Sequence, residues 1–225
     1  MDATLADIRT RGLRSARQHI PALERELSDA GAAYAVAEAP GETKYVLVDG
    51  MAETLGGLLK GAEEKRKTIA VKSPYPPISL VLASYYNEVN LPADALRVLD
   101  AGLALPQQIG DAKLGMHLPL LVSERGVALG RLKRWPEALA NYQTGLALPA
   151  LMDRDRARML RGRGVILVEL KRLDEAEAAF NDSLKVEPKN SIAVNELRYI
   201  AELRRGRPAV NGQMTMPNLP ADVPR

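Results

Sequence analysis

The sequence predicts a mostly α protein, an array of three helix pairs and a closing helix behind a small α/β element that contains a β-hairpin. Three observations predict it. Residues Arg125 to Leu148 recur thirty-eight positions later as Arg163 to Val186, with eleven of twenty-four aligned residues unchanged. A shorter stretch, Asp94 to Pro106, aligns with Glu137 to Pro149 and shares the five residues GLALP. Residues 33–48 depart from this pattern, because AYAVA and KYVLV alternate or run apolar around turn-forming residues.

Within each copy, small residues stand where two backbones must approach, and larger apolar residues follow at spacings of three and four. Gly126 and Gly164 lie in first helices, and Ala138 and Ala176 follow twelve residues later in second helices. The third copy supplies Leu160, Arg163, Gly164, Leu167, Ala176, Phe180 and Pro188. The second supplies Val122, Arg125, Gly126, Leu129, Ala138 and Tyr142, with Pro149 one place early, and the first, the most degenerate, supplies Ser79, Leu82, Ala83, Tyr86, Ala95, Leu99 and Pro106. This series resembles the tetratricopeptide repeat, or TPR, of bacterial type, with a non-repeat amino-terminal extension. The resemblance covers roughly residues 76–205 and implies a right-handed α-solenoid. Two features depart from it: Arg125 and Arg163 occupy a slot usually held by Leu, and the copies are spaced by 43 and 38 residues rather than about 34.

The composition of the 225 residues, with 46% hydrophobic and 26% charged, is that of a globular chain, and aromatic residues at 4% suit an array built from Ala and Leu. A net charge of +3 is too mild and too dispersed to imply nucleic acid. The absence of cysteine excludes disulfides, thiol nucleophiles and zinc thiolate sites. No stretch reaches about eighteen uninterrupted apolar residues, so no transmembrane segment is expected. Met1 to Ile20 carries charge throughout and has no apolar segment of the secretory kind, so the expected compartment is cytoplasmic, with export left open for a chain whose signal has been trimmed.

Taken in order, Ala3 to Gln18 reads as an amphipathic helix whose Arg9, Arg11, Arg14 and Arg17 form a solvated face. Pro21 kinks it or opens a new turn, and Leu23 and Leu27 carry an apolar stripe to a stop at Gly31. The hairpin follows, turning at Ala39-Pro40-Gly41-Glu42 and ending at Asp49-Gly50. Met51 to Lys65 reads as a short helix and Thr68 to Val71 as a returning strand, an element placed to cap the first end of the array. The proline-rich Ser73 to Pro77 marks the boundary between residues 1–73 and the array, 74–205. The array helices are expected at 77–89, 92–105, 119–133, 136–148, 154–171 and 174–186, with a closing helix at 191–205. Pro92 and Pro136 lie just inside second helices, and Asp153 and Asn190 serve as caps. Residues 206–225, with four prolines, two glycines and no periodic apolar face, read as a disordered tail.

Little points to catalysis. Gly56 to Gly61 lacks the Gly-Lys-Ser/Thr ending that would clamp phosphate and reads as helix. His19 and His117 have no carboxylate-histidine pattern beside them, so no metal, cofactor or histidine-assisted nucleophile is expected. Asp174 and Glu175 open a helix, where the dipole favours negative charge. Trp135, the single tryptophan, begins a second helix and reads as packing.

Two function classes remain. The first is a non-catalytic scaffold holding a protein or peptide segment; the second is an enzyme or ligand-binding protein with its site in the amino-terminal α/β element. The TPR resemblance implies that one face of each first helix lines a concave surface. It carries Arg158, Arg161 and Val165 of the third copy, Ser123, Val127 and Arg131 of the second, and Leu80, Ser84 and Asn87 of the first. Leu80 and Ser84 stand where co-chaperones of the family have the Lys and Asn that clamp a terminal carboxylate, so that activity is not expected. The arginines either receive acidic partner residues while Val127 and Val165 take apolar ones, or pair with Asp153, Asp155 or Glu124.

Overall fold

A computed structural model of the chain describes residue 10 and residues 13–37, 43–48, 51–65, 67–72, 75–108, 117–149 and 151–206. The fold is mostly α and made of successive helix pairs, the TPR-like helical-repeat class that the internal repeats predict. The chain divides into two compact units, one of Met1–Tyr86 with Asp94–Leu121 and the other of Asn87–Ala93 with Val122–Arg225. The tail beyond Gly206 and most of the first predicted helix lie outside the described residues. No helix among the described residues is long and apolar enough to cross a membrane.

In the first unit a 3-10 helix, Leu13–His19, leads into α1, Ile20–Ala37. Pro21 opens α1 rather than kinking an earlier helix, since its missing N–H falls among first-turn groups that have no helical acceptor. Leu23 and Leu27, one turn apart, are buried. The helix does not stop at Gly31, and the expected hairpin does not form. Residues 33–37 are four small or β-branched positions around Tyr34, and the alanines among them carry the highest helix propensity, so they extend α1. The strands that do form are β1, Thr43–Val48, and β2, Lys67–Lys72, paired in parallel with Tyr45 opposite Ile69 and Leu47 opposite Val71. Parallel neighbours need a crossover rather than a tight turn, and α2, Met51–Glu63, supplies it. Gly56 to Gly61 lies within α2, where the backbone N–H groups serve the helix instead of a phosphate. The proposed turn residues 38–42 and 49–50 lie outside the described residues.

The first helix pair is α3, Tyr75–Glu88, and α4, Pro92–Gln108. Ile78, Leu82 and Ala83 of α3 and Ala95, Val98 and Leu99 of α4 are fully buried, the period of two facing apolar stripes. A polar junction ties α1 to this pair: Tyr86 Oη donates to Glu24 Oε1 at 2.6 Å, and Arg97 Nη2 donates to the same oxygen at 2.6 Å. Burial pushes the Glu24 carboxyl up, but the hydrogen bonds from Arg97 and Tyr86 and the Arg97 charge together hold it below its usual value. The Tyr86 phenol moves up, through burial first and then the Glu24 carboxylate.

The second unit contains most of α5, Leu118–Arg131, then α6, Trp135–Leu146, α7, Asp153–Glu169, α8, Leu173–Val186, and α9, Ser191–Arg204. These bounds lie within two residues of the expected ones. Tyr142 of α6 fills the space left by two glycines, Gly126 of α5 and Gly162 of α7; a Cβ at either would run into its ring. Phe180 of α8 meets Gly164 in the same way, at 2.7 Å from a built Cβ. Asn190 caps α9, its Oδ1 accepting from Ala193 N at 3.2 Å. Asp153 does not cap α7: Met152 holds that place with no side-chain cap, and Asp153 sits in the first turn beside Asp155. Trp135 is half-buried at the start of α6.

The turn inside each helix pair is the same. Asn90, Lys133 and Lys171, equivalent in the three copies, have φ of 60°, 58° and 58°. After each lysine the chain closes identically, with Arg134 N bonding Leu129 O and Arg172 N bonding Leu167 O, both at 2.9 Å. The left-handed conformation costs an L-residue about 1–2 kcal/mol, and glycine avoids that cost while losing about 0.4–1 kcal/mol of unfolded-state entropy. Lys171→Gly should therefore raise the urea midpoint slightly and Lys171→Ile should lower it. A Gly variant less stable than the Ile variant would contradict this reading of the turn.

Candidate functional site

The candidate surface lies on the first helices. On α5, Ser123, Val127 and Arg131 are spaced by four and share one face, as do Arg158, Arg161 and Val165 on α7 at spacings of three and four. Val127 and Val165, equivalent in the two copies, are both partly exposed, whereas Leu129 and Leu167 on the opposite side of the same helices are fully buried. Ser84 of α3 is partly exposed in the other unit.

Asn87 and Ser123 do not belong to an open surface, contrary to expectation. Asn87 is fully buried, its Nδ2 donating to Glu124 Oε2 at 2.8 Å and to Glu124 O at 3.1 Å. Ser123 is 6% exposed, and its carbonyl accepts a 3.5 Å contact from Tyr142 Oη. A helical register marks a face of a helix, but not how far a neighbouring element covers that face.

The arginines differ in what holds them. Arg161 is 14% exposed and pairs with Glu187 at 2.7 Å, so its charge is largely committed to the protein. Arg158 makes a 3.9 Å contact with the buried Asp155, three residues back, and keeps 37% of its side chain exposed. Arg131 donates from Nη1 to Asn90 Oδ1 at 3.2 Å, while its Nε and Nη2 are buried and meet no acceptor. Burial pulls its guanidinium down from the usual value against the attraction of Glu124.

Several polar residues went unread in the sequence. Glu124 lies one position from the expected face yet takes Asn87. Glu196 of α9 lies near Glu169 of α7; burial first, then the Glu169 charge, pushes the Glu196 carboxyl up to about 7. Arg125 and Arg163, which replace the usual Leu, also find a reason. Arg134 grips Glu137 through Nε and Nη2, Arg172 grips Glu175 in the same way, and Arg125 and Arg163 add a second positive charge to each glutamate. Arg125 also donates to Asn141 Oδ1 at 3.3 Å; Ala179 holds the equivalent place in the next copy, and there Arg163 Nε has no partner. The recurrence of two arginines and a glutamate at fixed offsets was the available signal.

Among the described residues no three His, Cys, Asp or Glu side chains converge as metal ligands would. The outer side of α2 presents Leu55, Leu58 and Leu59 to solvent. A shallow depression at the α8–α9 turn is lined by Glu187, Pro188, Lys189 and Asn190.

No family model matches the sequence. Among solved structures, the chain is similar to the first TPR domain of human RPAP3, at 25% identity over 58% of this chain and 95% of that one, with a TM-score of 0.48. It is similar to the first TPR of Spaghetti (RPAP3) bound to the HSP90 peptide SRMEEVD, at 24% identity over 60% of this chain and 99% of that one, TM-score 0.49. The second TPR domain of human RPAP3 in complex with the HSP70 peptide SGPTIEEVD matches at 22% identity over 56% of this chain and 98% of that one, TM-score 0.44. The assignment to a TPR-like helical-repeat fold rests on the repeated helix pairs, turns and glycine-aromatic contacts of this chain itself.

Proposed function

We propose that the protein is a non-catalytic scaffold that holds an extended protein segment along the first-helix face of the second unit, with acidic residues toward its arginines and apolar ones over Val127 and Val165. The carrying observation is the pair of partly exposed valines at equivalent positions of α5 and α7, flanked by arginines, while Leu129 and Leu167, two positions further along each helix, are fully buried. Extended segments are recognised through such a series of shallow apolar contacts, and flanking charge sets register and steers encounter. Arg158 supplies accessible positive charge, whereas Arg161 serves mainly to hold Glu187.

Heptapeptides selected by display on the full-length protein provide the test. Arg158→Glu should weaken selected peptides several-fold and flatten the salt dependence of binding, with the helical circular dichroism unchanged. Arg161→Glu should instead lower stability, because it places a second carboxylate against Glu187. A folded Arg158→Glu protein with unchanged affinity and salt dependence would remove this assignment of the acidic residues.

A further inference from the structure

We propose that the small α/β element is a dimerisation module, in which α2 packs antiparallel on α2 of a second copy of this chain through an apolar stripe left open to solvent. All the residues concerned belong to the first unit, and none to the peptide-holding face proposed above.

Leu55, Leu58, Leu59 and Ala62 stand at the i, i+3, i+4 and i+7 positions of α2, the spacing by which a helix normally buries one side. Here all four are exposed, Leu55 and Leu59 by 60% and 58%. The side of α2 that meets the sheet is a different one. Gly61 is buried, and a Cβ there would run into Thr68 of β2. A glycine against the strand seats the helix closely and leaves its leucines pointing away.

The symmetry of the stripe identifies its occupant as a second copy. Its intervals of three, one and three read the same in both directions, as a two-fold interface between identical surfaces requires. Turned antiparallel, Leu58 lies over Leu59 of the other copy and Leu55 over its Ala62, so a large side chain meets a small one at each end. Glu53, Lys60 and Glu63, the charged residues of α2, fall outside the stripe by register, and the pairing therefore buries no charge. Four residues of one helix cover much less than the about 800 Å² that each partner gives to a standard interface, so the dimer is weak and depends on concentration.

Sedimentation equilibrium of the full-length protein between about 5 µM and about 500 µM should show the average mass rising from that of a monomer toward that of a dimer. Leu58→Glu should weaken association at least about tenfold, because it puts a carboxylate in the middle of an apolar contact, whereas Leu58→Met, which keeps the volume, should stay within about threefold of the wild type. Neither should alter the helical circular dichroism. The chain has no cysteine, so introduced thiols report the pairing alone. Under mild oxidation, Leu55→Cys mixed with Ala62→Cys should cross-link as a mixed dimer. Either variant with itself should not, since antiparallel pairing holds like residues seven positions, or about 10 Å, apart along the axis, beyond the reach of a disulfide. Self-linked dimers forming as fast as mixed ones, or association that Leu58→Glu leaves unchanged, would overturn this pairing. A monomer at every concentration would overturn the dimer itself: if Leu58→Glu then lowers the melting temperature, the chain covers its own stripe, and if it does not, the stripe belongs to another partner.

Discussion

Replacing Tyr142 with alanine should cost the second unit about 3–5 kcal/mol, a large part of the 5–15 kcal/mol that holds a typical domain together. The ring is 2% exposed and sits between α5 and α7, with Gly126 on one side and Gly162 on the other. Its removal leaves a void that two backbones without side chains cannot fill. The same contact predicts the reverse substitution. Gly126→Ala should gain about 1 kcal/mol from helix propensity but lose more by driving a methyl group into the ring, for a net loss of about 1–2 kcal/mol. Urea unfolding followed by circular dichroism measures each variant, and the combination of Gly126→Ala with Tyr142→Leu should recover part of the loss. If Gly126→Ala alone stabilises the protein, the ring is not confined as described.

That contact also shows what the sequence disclosed. Gly126 and Tyr142 were legible as a pair of slots because they recur as Gly164 and Phe180, and the helix ends were legible through Pro92, Pro136 and Asn190, which have one physical reason each to stand where they do. Gly162 belongs to one copy only, so no repeat announced it. The stretch 33–37 was misread because alanines alternating with Tyr34 and Val36 satisfy a period of two, yet propensity and continuity with Leu23 and Leu27 favour helix. On the candidate face, register puts Val127 with Arg131, and Arg158 with Val165, on one side of each helix, since residues four or seven apart share a side. It could not show that Asn87 is covered by Glu124, or that Arg161 is taken by Glu187, because these contacts join residues 37 and 26 positions apart. Such pairings depend on how helices stack, which the spacing of one helix does not contain.

The closing helix should dock more firmly in mild acid than in mild base. Glu196 of α9 is half-buried and faces Glu169 of α7, and neither carboxylate has a cation or hydrogen-bond donor among the described residues. From α8, the charged groups that reach α9 are Asp174 and Glu177, both held by Arg204 at 2.6 Å. Burial, with the Glu169 charge added, raises the Glu196 carboxyl from 4.5 to about 7. A carboxyl raised on folding binds its proton more tightly in the folded state. Its contribution is therefore fully present below the unfolded value near 4.5 and is lost as pH rises through about 7. Allowing for water that still reaches the group, the loss between pH 5.5 and 8.5 should be about 1–2 kcal/mol. Glu24 works in the opposite sense, its lowered carboxyl giving stability that disappears only as pH falls below the usual carboxylate range, so the two effects occupy separate windows. Glu196→Gln removes the ionisation and should raise stability more at pH 8.5 than at pH 5.5, where the loss has only begun; Glu169→Gln should shift the wild-type dependence toward lower stability loss without abolishing it. Amide hydrogen exchange along Ser191–Arg204 at the two pH values, corrected for intrinsic exchange rates, reads the docking of the helix directly. Equal protection of that helix at both pH values in the wild type, or an unchanged dependence in Glu196→Gln, would show that this pair does not govern how the array is closed.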